Sequence, residues 1–383
     1  MRTRDKKCKT EYYAGPWNRC RRIRRMEYMR AWEANFRKVE PYTPGEQPKN
    51  PRVIKLNTNE NPYPPSPAAA EVLRSMDPAL LRKYPDPDSS LLRDAIAEYY
   101  GICPDRVFVG VGSDDVLGMA FLTFFNGPKP VLFPNITYSF YDVWADLFRV
   151  PYETQPLDKD FRIVPEDYMK PNGGIVIANP NAPTGVELSR DLIEEIVKAN
   201  QESVVIVDEA YVDFGARSAL PLTEKYENLL VVQTFSKSRA FAGVRIGFAM
   251  GHPSLINALN CVKNSYNSYT MTTPSILLGA AVMKDRAYFE ESTAKVIATR
   301  ERVKKELSAL GFTFGDSKSN FIFAKREGTD AKKLFEAMRA DGIFVRYFNK
   351  PLIRDYLRIS IGTDEEMDTF LGYVKQYLAK QGS

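Results

Sequence analysis

One histidine and four cysteines are all that this 383-residue chain offers toward a soft-metal site or a disulfide scaffold. His252 stands alone, and Cys8, Cys20, Cys103 and Cys261 show no CxxC spacing. A zinc centre and a disulfide framework are therefore poor readings of the chain, and no metal is expected. Long apolar runs are missing as well. No stretch approaches the length needed to cross a bilayer, and Glu33, Asn35 and Arg37 interrupt the one segment that could form the core of a secretory leader. The expectation is a soluble, cytoplasmic protein without a membrane partner.

An excess of one charge is lacking too, once its location is considered. The formal net charge is +5, but residues 1 to 30 hold eleven Lys or Arg against three Asp or Glu, so the remainder carries −3. The basicity belongs to a tail, rich in Arg, Lys and Tyr, that shows no sustained apolar period and reads as a disordered extension over 1–26. A nucleic-acid partner does not follow from it, because the tail lacks helix-turn-helix patterning and Met26 and Met29 are plausible alternative starts. Beyond the tail, 44% hydrophobic and 26% charged residues are ordinary globular usage. The length favours two domains.

A short helix from Trp32 leads into Pro41-Tyr42-Thr43-Pro44-Gly45. The Pro-rich Asn61-Pro62-Tyr63-Pro64-Pro65-Ser66-Pro67 follows, where proline denies donors to any ladder. Asp88-Ser89-Ser90 caps a helix through Leu91 to Tyr100. Short β-branched runs then recur at 107–109, 131–133, 174–177, 204–207, 229–232 and 245–248, apolar on consecutive positions, with a helical pattern over 191–199. Strands buried on both faces read this way, which predicts a mostly parallel sheet covered by helices. Beyond Thr272 a long helix around 290–310 precedes candidate strands at 321–323, 344–346 and 357–361, as suits a second, smaller α/β domain.

Four segments carry chemistry. Thr234-Phe235-Ser236-Lys237-Ser238 follows a buried strand, with Arg245 eight residues after the lysine. Such a site suits an amine that must lose its proton while a phosphate is held, although a solvated turn fits the same pattern. Asp208 ends the run Val204-Val205-Ile206-Val207. A carboxylate there is costly unless it caps a helix or meets a cation such as a protonated pyridine nitrogen. Tyr211 lies three residues on. Asn179 to Gly185 is dense in turn formers at another strand end, where ligands bind in such sheets. Gly110-Val111-Gly112-Ser113-Asp114 joins a strand to the helix through Met119 and Phe121, and a helix start can cradle a phosphate.

In this order, from about Trp32 to the C-terminus, these segments resemble the fold-type I pyridoxal-phosphate-dependent aminotransferases, and within them the histidinol-phosphate branch. The resemblance implies an α/β fold: a large cofactor-binding domain over 62–275 with a mostly parallel central sheet, a small C-terminal domain over 276–383, and an arm over 27–61 joining the latter. It implies pyridoxal 5′-phosphate held by Lys237 as a Schiff base, Asp208 against the pyridine nitrogen and Tyr211 on the ring's O3. Ser113, Asp114, Thr234, Ser236 and Arg245 match the phosphate cup, and Tyr138 the aromatic stacked on the ring, where its residue type alone equally suits a core aromatic. Tyr84 resembles a tyrosine that reaches the phosphate of a neighbouring subunit, hence a homodimer. Tyr42, Arg346 and Arg358 match contacts to the substrate's anionic groups. Many relatives have Asn directly before Pro-Thr-Gly; here that position is Ala182, and Asn181 is the candidate for its role.

The activity so implied is exchange of the amino group between L-histidinol phosphate and 2-oxoglutarate, in histidine biosynthesis. An aromatic amino-acid aminotransferase, a decarboxylase acting on an amino-acid phosphate and a non-catalytic cofactor-binding regulator are the competing readings.

Overall fold

The computed structural model describes residues 31–50 and 52–381, so the basic extension read over 1–26 lies outside the described residues. The chain separates into two compact units, residues 1–40 and 41–383. In the first, the expected short helix is a 3-10 turn over Ala31–Asn35, with the rings of Trp32 and Phe36 tilted against each other at 5.2 Å.

The second unit opens with β1 (Ile54–Lys55) and α1 (Pro67–Ser75). Then come α2 (Ser90–Tyr100), β2 (Val107–Gly110), α3 (Ser113–Phe124), β3 (Val131–Pro134), α4 (Tyr141–Phe148), β4 (Tyr152–Gln155) and β5 (Gly174–Ala178). They are followed by α5 (Arg190–Ala199), β6 (Val205–Asp208), β7 (Leu229–Thr234), β8 (Gly247–Gly251), α6 (Pro253–Tyr266) and α7 (Thr273–Lys284).

Strands β2 to β8 form one sheet in the order β2-β8-β7-β6-β5-β3-β4. Every neighbouring pair is parallel except those of β8, which runs against both β2 and β7. Successive side chains leave a strand on opposite faces, and the core divides accordingly. Val107, Val109, Ile175, Ile177, Val205, Val207, Leu229 and Val231 pack on one side with α2, α5 and α7. Phe108, Val131, Phe133, Val176, Ile206, Leu230 and Val232 pack on the other with α3, α4 and α6. Each such side chain contributes roughly 1.5–3 kcal/mol by leaving water.

The remaining elements are α8 (Arg286–Ala309), β9 (Phe312–Phe314), β10 (Phe321–Arg326), α9 (Ala331–Ala340), β11 (Ile343–Phe344), β12 (Arg346–Tyr347), β13 (Leu357–Ser360) and α10 (Asp364–Gln381). A four-stranded antiparallel sheet, β12-β13-β10-β9, packs with α8, α9 and α10 around its own apolar cluster. The arm strand β1 pairs with β11. Among the described residues no helix is long and apolar enough to cross a membrane.

Several expectations need correction. The run read as a strand over 245–248 begins only at Gly247, because Arg245 sits at φ +59°, outside extended backbone. The run 344–346 is split at Val345 between two sheets. The Asp88-Ser89-Ser90 cap is not used: Ser89 is left-handed and makes no capping bond, while Asp86 accepts from the Ser90 amide at 2.7 Å. Strand β4, mostly exposed, was not anticipated.

Candidate active site

The carboxyl ends of β2, β5, β6 and β7 and the start of β8 meet at one edge of the seven-stranded sheet, where Gly110 pairs with Gly247 and Gly247 with Thr234. Ligands bind beyond such strand ends. A cavity of about 210 Å³ opens there, and twelve of the fourteen residues singled out from sequence line it: Tyr42, Ser113, Asp114, Tyr138, Asp208, Tyr211, Thr234, Ser236, Lys237, Arg245, Arg346 and Arg358.

The floor of the cavity is a seat for an anion. Helix α3 starts at Ser113 with Gly112 as its N-cap, so no side chain occupies its first amides, and such a terminus attracts negative charge. Arg245 reaches over it, with Nη2 3.4 Å from Asp114 Oδ2 and Nη1 3.4 Å from Ser236 Oγ. The Thr234 hydroxyl accepts from the Ser236 amide at 3.1 Å. Two glycines keep the seat open. A Cβ at Gly112, which has φ +86°, would stand 2.4 Å from Arg245 Nη2, and one at Gly247 would stand 2.3 Å from the Ser113 nitrogen.

Above the floor lies Asp208, 5% exposed at the end of β6. Burial pushes its carboxyl up to about 6, even though Tyr141 Oη donates to Oδ2 at 2.8 Å and the Ala210 amide to Oδ1 at 3.2 Å. Among the described residues it forms no ion pair with a cation, and a buried carboxylate in that state is suited to a positively charged N–H. Lys237 Nζ donates to the Thr58 carbonyl at 3.1 Å and sits 5.7 Å from the centre of the Tyr211 ring. Tyr211 Oη accepts from Asn59 Nδ2 at 3.0 Å. Tyr138 donates to Asp114 Oδ1 at 2.8 Å, and burial first, then the Asp114 charge, holds its phenol well above the usual value.

The opposite wall is cationic. Arg346 and Arg358 face each other across β12 and β13. Like charges in direct register are unfavourable without an anion between them, and among the described residues neither forms an ion pair with a carboxylate. Arg358 Nη2 donates to the Asn57 carbonyl at 2.9 Å, while its buried Nε has no partner among the described residues. Arg346 Nη2 lies 3.5 Å from the Thr43 carbonyl. Tyr42 stacks on Phe140 at 4.2 Å beside them.

Two anticipated residues are elsewhere. Asn181 does not line the cavity: its amide donates to the Ile136 carbonyl and to Thr184 Oγ1, both at 3.0 Å, and so closes its own turn. Ala182 lines the cavity in its place. Tyr84 is 81% exposed and stacks on Tyr269 at 4.7 Å. Conversely, Asn57, Thr58, Asn59 and Glu60 line the cavity unforeseen. The only sequence signal they gave was an asparagine-rich polar run between an apolar strand and a proline-rich loop.

A phosphate, a protonated ring nitrogen and a carbonyl reactive toward lysine are the polar features of pyridoxal 5′-phosphate, and the residues present fit all three. A site of this kind at the edge of a mostly parallel sheet defines the fold-type I class of enzymes that use this cofactor. Residues 51–374 match the family of class I and II aminotransferases. The chain is 50% identical over 348 residues to the histidinol-phosphate aminotransferase of Lactococcus lactis subsp. cremoris (strain SK11), covering 91% of this chain and 98% of that one. It is equally identical to its counterpart in Clostridium acetobutylicum, over 91% and 99%. Among solved structures, the histidinol-phosphate aminotransferase of Sinorhizobium meliloti in complex with pyridoxal-5′-phosphate shares the fold with a TM-score of 0.78 at 24% identity, over 85% of this chain and 91% of that one. Aspartate aminotransferase from Thermus thermophilus with maleate does so with a TM-score of 0.70 at 20% identity, over 84% and 90%. The chain belongs to the class I and II aminotransferases, and its cofactor is pyridoxal 5′-phosphate.

Proposed function

We propose that this aminotransferase moves the amino group of L-histidinol phosphate to 2-oxoglutarate, yielding imidazole-acetol phosphate and glutamate, a step of histidine biosynthesis carried out in the cytoplasm. The observation that carries the substrate reading is the pair Arg346 and Arg358, side by side in the cavity that Lys237 also lines and, among the described residues, without carboxylate partners. Guanidinium forks accept both phosphate and carboxylate, so one wall serves a phosphorylated donor and a dicarboxylate in turn. The relatives at half identity are named histidinol-phosphate aminotransferases, which supports the donor.

When bound, pyridoxal 5′-phosphate supplies an electron sink for the charge left on the donor's α-carbon. Lys237 would hold the cofactor and, as a free amine, would move a proton off that α-carbon as general base. Asp208 keeps the proton on the ring nitrogen, and Tyr211, supported by Asn59, donates to the ring oxygen. The α3 terminus, with Ser113 and Asp114, and Thr234, Ser236 and Arg245 hold the phosphate. Tyr138 covers the ring, and Arg346, Arg358 and Tyr42 orient the donor. Residues 62–275 form the cofactor-binding domain, and 276–383 with the arm form the smaller one.

The working unit is a homodimer in this reading. Tyr84 and Tyr269, stacked and exposed, lie close in sequence to the exposed Leu80, Leu81 and Tyr266, and apolar surface of this kind marks contact sites. Single-turnover cofactor spectra with histidinol phosphate, glutamate, phenylalanine, tyrosine and threonine phosphate test the function. Histidinol phosphate and glutamate should each convert the cofactor; faster conversion by phenylalanine than by histidinol phosphate would transfer the assignment to an aromatic aminotransferase.

A further inference from the structure

The run Lys55-Leu56-Asn57-Thr58-Asn59-Glu60-Asn61 reaches the cavity largely through its backbone. The Asn57 carbonyl receives Arg358 and the Thr58 carbonyl receives Lys237 Nζ. The Asn61 side chain donates to the carbonyls of Lys237 and Ser238, both at 3.1 Å. Four residues of this run, Asn57, Thr58, Asn59 and Asn61, thus bear on the substrate arginine, the phenol of Tyr211 and the lysine. Their shape is held by a closed polar ring. Lys55 Nζ donates to Thr58 Oγ1 at 2.9 Å and to Glu60 Oε1 at 2.5 Å, and Thr58 Oγ1 donates to Glu60 Oε2 at 2.7 Å. On the far side Gly45 presses on Thr58, for a Cβ there would come within 2.6 Å of its methyl.

The Lys55 and Glu60 side chains are 25% and 40% exposed, and pairs so placed add little stability. Nor does the proposed amino transfer use Glu60. We infer that Glu60 is a positioning residue: with Lys55 it clamps Thr58 so that the Thr58 carbonyl receives the Lys237 amine whenever that amine is not bonded to the cofactor. The inference rests on Lys237 being the cofactor lysine. Glu60 is itself ionised: burial pushes its carboxyl up, but hydrogen bonds from Lys55 and Thr58 and the charges of Lys55 and Lys237 bring it below its ordinary value. The ring therefore fixes the carbonyl on which the free lysine rests between its bonds to the cofactor.

Cofactor-free, full-length protein recaptures pyridoxal phosphate through the neutral Lys237 amine, and the rise of visible absorbance on mixing follows it. The rate is measured against pH for the wild type, Glu60→Gln and Thr58→Val, the last keeping the branch at Cβ and the carbonyl while removing the hydroxyl from the ring. Both variants should capture the cofactor faster than the wild type by the same factor, on the order of tenfold, as expected for loss of one well-placed hydrogen bond holding the lysine. A faster rate in Glu60→Gln alone means that the charge acts without the clamp and overturns the proposal; an unchanged rate in both does the same. Thr58→Val decides the matter should Glu60→Gln fold poorly. Borohydride trapping and peptide mapping separate the two layers. Label on Lys237 with an unchanged capture rate defeats the clamp alone, whereas label on another lysine removes the cofactor assignment and the clamp with it.

Discussion

The Tyr141 ring packs among core aromatics, against Phe121, Phe133 and Trp144. Its hydroxyl nevertheless holds Asp208, so Tyr141→Phe removes a hydrogen bond to a charged group while leaving the packing. Such bonds are worth roughly 1.5–3 kcal/mol, and the variant should retain the cofactor at least tenfold less tightly in titrations followed by absorbance. Arg346→Ala should weaken histidinol phosphate by a similar margin and glutamate by less, as read from single-turnover spectra with each donor; an effect confined to an aromatic amino acid would remove the phosphate from the reading. Lys237, Asp208 and Arg358 were legible because charged residues at the ends of, or within, apolar strands demand partners. Thr58 and Asn57 were not, since what they present to the cavity is a carbonyl, and every residue has one. Asn181 misled because a turn-former beside Pro-Thr-Gly looks the same whether its amide points outward or closes the turn.

At the scale of elements, β6 and β7 are tied together just beneath the cavity. Glu209, 1% exposed, accepts from the Ala219 amide at 2.6 Å, Ser218 Oγ at 2.7 Å and Gln233 Nε2 at 2.8 Å. Burial pushes its carboxyl up to about 7 from 4.5. Between those values the folded chain keeps a proton that the unfolded chain has released, so this group's contribution falls as pH rises through the window and is level above it. The loss is on the order of 2–3 kcal/mol. Denaturant midpoints of cofactor-free protein at pH 5 and pH 8 should differ less in Glu209→Gln than in the wild type; an equal difference would mean that Glu209 ionises freely. The consecutive apolar runs gave away the buried strands for a simple reason: both faces of the sheet are covered. Strand β4 escaped notice because it is an edge with three of four residues exposed. The hand-over at Val345 escaped because sheet membership is decided by partners distant in sequence.

For the whole molecule, assembly is the property least visible in one chain. If Tyr84 completes the phosphate seat of a neighbour, mixing Lys237→Ala with Tyr84→Phe should give heterodimers with one doubly damaged and one intact site. Activity should reappear on mixing; demonstrated heterodimers without it would mean that each chain is self-sufficient. The charge pattern was plain from composition, whereas the meeting of an arm, a seven-stranded and a four-stranded sheet at one cavity follows from long-range pairing that no local pattern announces.

The glycines at 112 and 247 define the phosphate seat by what they leave out, since a side chain at 247 would meet the backbone of Gly112 and one at 112, in a left-handed conformation, would meet the Arg245 guanidinium. Any replacement there adds at least a methyl group, so this half of the site tolerates no gradual variation. The arginines and Tyr42 are long side chains on the other wall and can be exchanged one at a time. Divergence toward new amino donors would then proceed by editing that wall alone, with the cofactor's berth inherited unaltered. A library confined to positions 42, 346 and 358 should yield altered donor preference with cofactor binding preserved, and one confined to 112 and 247 should yield only losses.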